Sequence, residues 1–284
     1  MAAAIKSLKQ LTKPTLPDSV VFLTAQHSGT SRSKRRPLLI CFHGSGTSNA
    51  DSWKEMIEIL HSSYQVLFVE RLSTRTTAEE HANALVLYLR GHDLLPPYIL
   101  VAHSYGGVFA KQFLKDYPKL VAGIVLVETG KSADKVNMVE EYIARRGLLA
   151  GKPLSVIRGN SFLRHQAELD ARILRASRTA EAVSNLHEQQ QWLATALSHD
   201  EKLERSQLLL SLNHRFVHLP DCGHNVVRDR PDIVAQEIDW THANMVTEKQ
   251  ALSYTSRLWH FLCGSKLLVG GSVEQCAASS LHSA

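Results

Sequence analysis

The stretch that decides the fold reads Tyr98-Ile99-Leu100-Val101-Ala102-His103-Ser104-Tyr105-Gly106-Gly107. Its aliphatic run predicts a buried strand at 98–102, and the helical spacing of the apolar residues that follow predicts a helix that ends near Pro118. A serine between a strand and a helix, with glycines close behind it, is typical of a sharp turn that exposes the hydroxyl at the carboxyl edge of a sheet. We therefore interpret Ser104 as a candidate nucleophile. The simpler interpretation is a helix cap, a position where serine is also favoured.

Short aliphatic runs alternate with longer segments of helical period along the rest of the chain. Strands are predicted at residues 20–23, 37–42, 64–69, 98–102, 123–127, 154–157 and 215–219. Further helices are predicted at 51–61, after the capping residue Thr77, and at 230–240. This alternation is typical of a mostly parallel central sheet with helices on both faces, so the predicted fold class is α/β.

The alternation breaks between residues 131 and 212. Apart from the strand at 154–157, this segment is polar and helical, which predicts helices packed over the sheet as a cap or lid. The predicted organisation is an N-terminal extension at 1–17, an α/β domain at 18–240 that includes the cap, and a loosely ordered C-terminal tail at 241–284.

Acyl transfer at a serine needs backbone N–H groups that hold the developing oxyanion. Tyr105, directly after Ser104, provides one, and the loop His43-Gly44-Ser45-Gly46 provides another, from Ser45. A phosphate-binding role for this loop is disfavoured, because it lacks both the third glycine of a dinucleotide fingerprint and the Gly-Lys-Ser/Thr of a P-loop. Ser45 and Tyr105 are therefore the predicted oxyanion hole.

His224 is the candidate general base among 15 histidines. It follows the strand at 215–219 and precedes the last predicted helix, so its ring can reach across the carboxyl edge of the sheet to Ser104. Other histidines are disfavoured because they lie in helical sequence, beside the nucleophile where the ring should point away, or on the other face of a strand: His165, His187, His199, His103 and His218.

The acid that orients the base is harder to assign. The loop after the strand at 154–157 contains no carboxylate before Glu168. Glu128 directly follows the strand at 123–127 and would stand at the same sheet edge as Ser104. Glu128 is the predicted acid, and three alternatives stay open: Glu168, Asp170 and Asp200. Asp221 is disfavoured because it is too close in sequence to His224.

Three motifs together resemble the α/β-hydrolase superfamily, in its serine-nucleophile branch. They are Leu39-Ile40-Cys41-Phe42-His43-Gly44, Val101-Ala102-His103-Ser104-Tyr105-Gly106-Gly107, and Cys222-Gly223-His224 with the downstream Arg230-Pro231-Asp232. The resemblance covers residues 18–240 and implies an oxyanion loop, a nucleophile elbow and a catalytic histidine at these positions. Some members carry their acid after the strand that corresponds to 123–127, which supports Glu128. The sequence departs from the pattern at Ala102, where glycine is usual, and in the missing carboxylate after Gly159.

The resemblance implies an esterase-like serine hydrolase that cleaves a small ester, lactone or thioester of specialised metabolism through an acyl-enzyme. Ser104 argues against the epoxide hydrolases and haloalkane dehalogenases of the superfamily, which use an aspartate nucleophile. Two alternatives stay open: an acyltransferase, lyase or cyclase on the same triad, and a receptor-like protein with little turnover. No metal or organic cofactor is expected, because Cys222 and His224 alone do not make a zinc site.

Composition limits the partners and the location. The 284 residues are 44% hydrophobic with a formal charge of +5, which suits one globular domain with a small-molecule substrate. The basic run at 32–36 is typical of a solvated loop rather than a nucleic-acid surface. The sequence shows no secretory h-region, no long apolar span and no paired spacing of its four cysteines, so a cytoplasmic protein without a membrane partner is predicted. The oligomeric state stays open.

Overall fold

The computed structural model describes residues 8–10, 20–25, 36–45, 50–71, 77–130, 134–175 and 180–246. Its strands are β1 (Leu8–Gln10), β2 (Val20–Ala25), β3 (Leu38–Phe42), β4 (Val66–Arg71), β5 (Tyr98–His103), β6 (Val121–Val127), β7 (Leu154–Arg158) and β8 (His214–His218). Its helices are α1 (Ala50–Leu60), α2 (Ala78–Gly91), α3 (Gly106–Asp116), α4 (Asp134–Arg146), α5 (Leu163–Arg175), α6 (Ala180–Ser206), α7 (Val226–Asp229) and α8 (Pro231–Ala243). Each predicted strand and helix is found, with ends that differ by a few residues.

The strands form one sheet in the order β1-β2-β4-β3-β5-β6-β7-β8. Neighbouring strands from β4 to β8 are parallel, whereas β1 and β2 pair antiparallel at one edge. The predicted α/β class, a mostly parallel sheet covered by helices, is therefore confirmed. The strand order reverses direction between β3 and β5, and ligands of open α/β sheets bind outside the carboxyl ends of strands at such a switch point.

Both faces of the central strands are buried, which explains why they are continuous aliphatic runs without alternating polar residues. Within β3, Ile40 and Phe42 pack into one core with residues of α2, α3 and α4. Leu39 and Cys41 face the opposite core, which contains residues of α1, α7 and α8. Helices therefore cover both faces, and the carboxyl edge of the sheet is left to the loops.

Residues 8–10 belong to the segment predicted as an N-terminal extension. In the structure they form β1, which pairs with β2 and adds a short strand at the sheet edge. The rest of that extension, residues 1–7 and 11–17, lies outside the described residues. At the other end α8 continues to Ala243, so residues 241–243 of the predicted tail (241–284) are helical instead of loosely ordered. Residues 247–284 lie outside the described part of the chain.

The segment at 131–212 contains α4, α5 and α6, in agreement with its helical pattern. Arg158, at the end of β7, is nearly buried and anchors α6: its Nε lies 3.2 Å from Asp200 Oδ2, and its guanidinium donates to Leu197 O at 3.1 Å. These contacts hold the C-terminal half of α6 at the carboxyl edge of the sheet. Across the described ranges, none of the helices is long and apolar enough to span a membrane.

Candidate active site

The turn between β5 and α3 places Ser104 in a strained backbone conformation. Its φ is 53°, in the left-handed region that favours glycine. Its N–H still donates to Val127 O at 2.9 Å, so the sheet ladder continues up to the turn itself. A Cβ atom at position 106 would lie 2.3 Å from Phe42 O, so glycine there lets α3 approach β3. The residue that precedes α3 is Tyr105, without a side-chain cap hydrogen bond, and the Ser104 hydroxyl is directed elsewhere.

That hydroxyl contacts His224. Ser104 Oγ donates to His224 Nε2 at 2.9 Å, and His224 Nδ1–H donates to Glu128 Oε2 at 2.9 Å. Glu128 is fully buried, while about a third of the His224 side chain is exposed. The structure therefore brings together the three residues predicted as nucleophile, base and acid, in one chain of hydrogen bonds that opens to solvent at its serine end.

Glu128 occupies a turn that resembles the turn at Ser104. Its φ is also 53°, and its N–H donates to Ile157 O at 2.9 Å. The backbone hydrogen bond at the end of β6 is therefore made to β7, just as the one at the end of β5 is made to β6. Its Oε1 accepts the Gly159 N–H at 2.6 Å, and its Oε2 accepts the Ser161 hydroxyl at 2.6 Å. These donors stabilise the ionised form of the carboxylate.

The three alternative acids are exposed or pair with other residues. Glu168 is exposed and pairs with Arg164 at 3.3 Å, and Asp170 is an exposed residue of α5. Asp200 pairs with Arg158. Among these carboxylates it is Glu128 that contacts the His224 ring.

His103 contacts the loop that carries His224, although its position beside the nucleophile predicts that its ring points away. Its Nε2–H donates to the backbone carbonyl of His224 at 2.9 Å, and the two rings lie 5.0 Å apart between centroids. Burial lowers the pKa of His103 to about 4, and the hydrogen bond to the His224 carbonyl opposes this change only in part, so His103 stays neutral at physiological pH. It therefore holds the His224 loop without adding a positive charge beside the base.

The two predicted oxyanion donors adjoin the nucleophile. Tyr105 follows it at the start of α3, where backbone N–H groups and the helix dipole favour negative charge. The loop that contains Ser45 packs against the turn, because a Cβ atom at Gly44 would lie 3.2 Å from the Ser104 Cβ. Gly46, the last residue of the predicted loop, lies outside the described residues.

Comparison with known proteins identifies the family of this fold. A family model described as the alpha/beta hydrolase family matches residues 39–237. The chain belongs to this family. It is 22% identical over 231 residues to the uncharacterized protein YqjL of Bacillus subtilis (strain 168), an alignment that covers 76% of this chain and 86% of YqjL. The predicted resemblance to α/β hydrolases is thereby confirmed.

Two solved structures of α/β hydrolases superpose on most of the chain. Carboxylesterase CesB (YbfK) from Bacillus subtilis is 12% identical, with a TM-score of 0.51 and coverage of 84% of this chain and 93% of CesB. The esterase RhEst1 from Rhodococcus sp. ECU1013 is also 12% identical, with a TM-score of 0.51 and coverage of 84% of this chain and 100% of RhEst1. At this identity the likeness shows the fold, and with family membership it supports a hydrolase.

A cysteine also lies near His224 in the sequence of this family member. Cys222, two residues before His224, is buried, and this burial raises the pKa of its thiol to about 11, so it is not a thiolate nucleophile at neutral pH. In the part of the chain that the structure describes, no three His, Cys, Asp or Glu side chains are grouped as metal ligands. The described contacts place the Ser104 hydroxyl against the His224 ring, at 2.9 Å.

A buried polar cluster supports the turn behind Glu128. The Gly130 N–H donates to Glu204 Oε1 at 2.7 Å, and Gln207 Nε2 donates to Glu204 Oε2 at 2.7 Å. Thr129 Oγ1 in turn donates to Gln207 Oε1 at 2.8 Å. The end of α6 is therefore joined to the residues that immediately follow the candidate acid.

Glu204 makes the stability of this turn sensitive to pH. Burial, with the charge of Glu128 as a smaller cause, raises the pKa of Glu204 to about 8. The folded protein then binds a proton that the unfolded chain loses above its ordinary pKa, so stability falls as the pH rises from that value through about 8. We expect Glu204→Gln to raise the melting temperature relative to wild type more at pH 9 than at pH 5.

Thermal unfolding followed by circular dichroism at the two pH values measures this difference. The matched control is Glu188→Gln, because Glu188 is an exposed residue of the same helix. Equal changes in melting temperature at both pH values for Glu204→Gln would contradict the prediction.

Proposed function

We propose that the chain is a serine hydrolase that cleaves a small ester, lactone or thioester by two-step acyl transfer. The observation that carries the proposal is the continuous hydrogen-bond chain from Ser104 Oγ through the His224 ring to the buried Glu128 carboxylate, with 2.9 Å at both contacts of the ring. A nucleophile that contacts a base, itself oriented by a third group, is the arrangement that activates a serine hydroxyl.

In the first step His224 Nε2 takes the Ser104 proton while Oγ attacks the substrate carbonyl carbon. The resulting oxyanion accepts the backbone N–H groups of Ser45 and Tyr105. The imidazolium keeps its Nδ1–H on Glu128 and then gives the proton from Nε2 to the departing alkoxide or thiolate. The carbon–oxygen or carbon–sulfur bond of the substrate breaks, and an acyl-Ser104 ester remains.

In the second step water replaces the leaving group. His224 takes a proton from the water, the resulting hydroxide attacks the acyl carbon, and the proton returns to Ser104 Oγ as the acid product leaves. All proton transfers use one ring nitrogen, so Nδ1 must stay protonated and held by Glu128 throughout.

In this proposal the helices after β7 form one side of the substrate site. α5 begins two residues after Ser161, whose hydroxyl contacts the acid, and α6 is anchored at the carboxyl edge by Arg158 and Asp200. An open cleft between α5 and α6 is lined by aliphatic side chains with a few polar ones, among them Gln166, Asp170 and Gln190. Ser104, Glu128 and His224 are not among the residues that line this cleft, and in this proposal α5 and α6 act as a cap beside the triad.

Labelling by a fluorophosphonate tests the proposal without assuming a substrate. We expect one covalent phosphonyl adduct on the peptide that contains Ser104, because the probe reacts with an activated serine and releases fluoride. His224→Gln should slow the labelling at least about 100-fold, since it removes the general base. Intact-mass and peptide mass spectrometry measure both the adduct and its rate.

A control and a product assay complete this test. His187→Gln is the matched control, because His187 is an exposed residue of α6 and should leave the labelling rate unchanged. Absence of an adduct, or an adduct on another serine, would overturn the proposal. Turnover of p-nitrophenyl esters with an added alcohol then separates hydrolysis from acyl transfer, because a transferase yields a new ester whereas a hydrolase yields the free acid.

A further inference from the structure

The hydroxyl of Ser161 lies where the acid meets the base. It donates to Glu128 Oε2 at 2.6 Å, and its oxygen lies 3.3 Å from His224 Nδ1. The same carboxylate oxygen accepts His224 Nδ1–H at 2.9 Å. Oε2, Oγ and Nδ1 therefore form a closed triangle, in which Ser161 touches both partners of the acid–base pair.

The loop that carries Ser161 is held firmly at this point. The Asn160 N–H donates to Cys222 O at 2.6 Å, which ties the loop after β7 to the loop of His224. The Asn160 side chain is nearly buried; its Oδ1 accepts the Phe162 N–H at 3.1 Å, and its Nδ2 donates to Gln166 Oε1 at 2.6 Å. Ser161 is therefore fixed from both neighbouring residues, so its hydroxyl stays at the triangle.

The two oxygens of Glu128 are held by different groups. Oε1 is held by the backbone N–H of Gly159, a contact that no side-chain substitution at 161 removes directly. Oε2, the oxygen that faces the base, is held by the Ser161 hydroxyl. Without that donor Oε2 loses one of its two hydrogen-bond partners, so the Ser161 hydroxyl no longer restrains the plane of the carboxylate and Oε2 is held less firmly against Nδ1.

We propose that Ser161 is a positioning residue that fixes the Glu128 carboxylate against His224 in the acid–base pair. The inference rests on the proposed function, because it assigns Ser161 a part in activating Ser104 through His224. Ser161 donates its proton to Oε2 and offers a lone pair to Nδ1–H as a second, longer acceptor. It exchanges no proton with the substrate.

The kinetic test is a double-mutant cycle of Ser161→Ala with Glu128→Gln, together with the variant Ser161→Thr. Ser161→Ala should lower kcat for a p-nitrophenyl ester about tenfold with KM nearly unchanged, the loss expected for one hydrogen bond to a charged group. Ser161→Thr, which keeps a hydroxyl, should restore most of the rate. In the Glu128→Gln background Ser161→Ala should change kcat less than about twofold, because its partner is already lost.

A structural role would give a different pattern. A loss of similar size in both backgrounds, or no recovery with threonine, would overturn the proposal. Ser206→Ala is the control, since the Ser206 hydroxyl is exposed and contacts only a carbonyl of its own helix in the hydrogen bonds described, Leu203 O at 2.7 Å.

Proton NMR separates this inference from the proposed function. The Nδ1–H signal of His224, assigned by its absence in His224→Gln, should be displaced or broadened in Ser161→Ala and restored in Ser161→Thr, whether or not the protein hydrolyses an ester. An unmoved signal would refute the role of Ser161 even in an active enzyme. A third outcome is a displaced signal in a protein that neither turns over esters nor reacts with a fluorophosphonate. That outcome would support the contact geometry but overturn both the proposed function and the part of Ser161 in it.

Discussion

Replacement of Ser104 by alanine is expected to lower kcat for ester hydrolysis by a factor of about 10⁴ to 10⁶. The substitution removes the only atom that can form the acyl-enzyme in the proposed mechanism, Oγ at 2.9 Å from His224 Nε2. It leaves Tyr105 and the loop of Ser45 in place, so residual rate above water would come from oxyanion binding. KM should change little, because the substitution removes one oxygen atom and leaves the rest of the site in place.

Initial rates with p-nitrophenyl acetate and butyrate measure this loss. Ser62→Ala is the matched control, because Ser62 is an exposed residue in the turn after α1 and should keep the wild-type rate. Melting temperatures of both variants equal to that of the wild type would show that the fold is intact. Equal activity in Ser104→Ala and wild type would refute Ser104 as nucleophile and, with it, the whole assignment of the triad.

Glu128→Gln is expected to lower kcat by a factor of about 10³ to 10⁴, as when an orienting aspartate becomes its amide. Gln keeps the size of the side chain but has one acceptor oxygen. That oxygen can satisfy the Gly159 N–H, so the amide nitrogen would face His224 Nδ1 in place of Oε2. An N–H donor there stabilises the wrong tautomer, in which Nε2 carries the proton and cannot accept from Ser104.

The matched control for this substitution is Glu168→Gln, which also tests an acid left open by the sequence. Glu168 is exposed and contacts Arg164, so we expect its loss to change kcat less than about twofold, as for other surface sites. A large loss in Glu168→Gln with little loss in Glu128→Gln would show that the acid is misassigned. The same p-nitrophenyl ester assay serves for both variants.

The positions of Ser104, His224 and Glu128 could be predicted because each follows directly from strand order. Ser104 and Glu128 directly follow the parallel strands β5 and β6, and His224 lies in the loop after β8, so all three lie at the carboxyl edge of the sheet. Glu128 was the harder assignment, since a carboxylate is more usual after β7. The pairing of β6 with β5 on one side and β7 on the other places it beside Ser104.

The contacts of Ser161 and His103 could not be predicted in the same way. Ser161 lies 33 residues from Glu128 in sequence, and its contact depends on the path of an irregular loop held by Asn160. His103 immediately precedes Ser104, so its side chain is expected to point away from the nucleophile. In the structure the loop of His224 nevertheless contacts its ring. Strand β1 was missed because three residues are too few to show a period.

The positive φ values at Ser104 and Glu128 place stability and activity in conflict. Each residue has a φ of 53°, and a non-glycine residue in such a region costs on the order of 1–3 kcal/mol. Glycine would relieve the strain at position 104, yet it would remove the proposed nucleophile. Selection for thermostability alone would therefore favour variants that stay folded but have lost the proposed activity. Libraries built for thermostability should be screened for turnover at the same time.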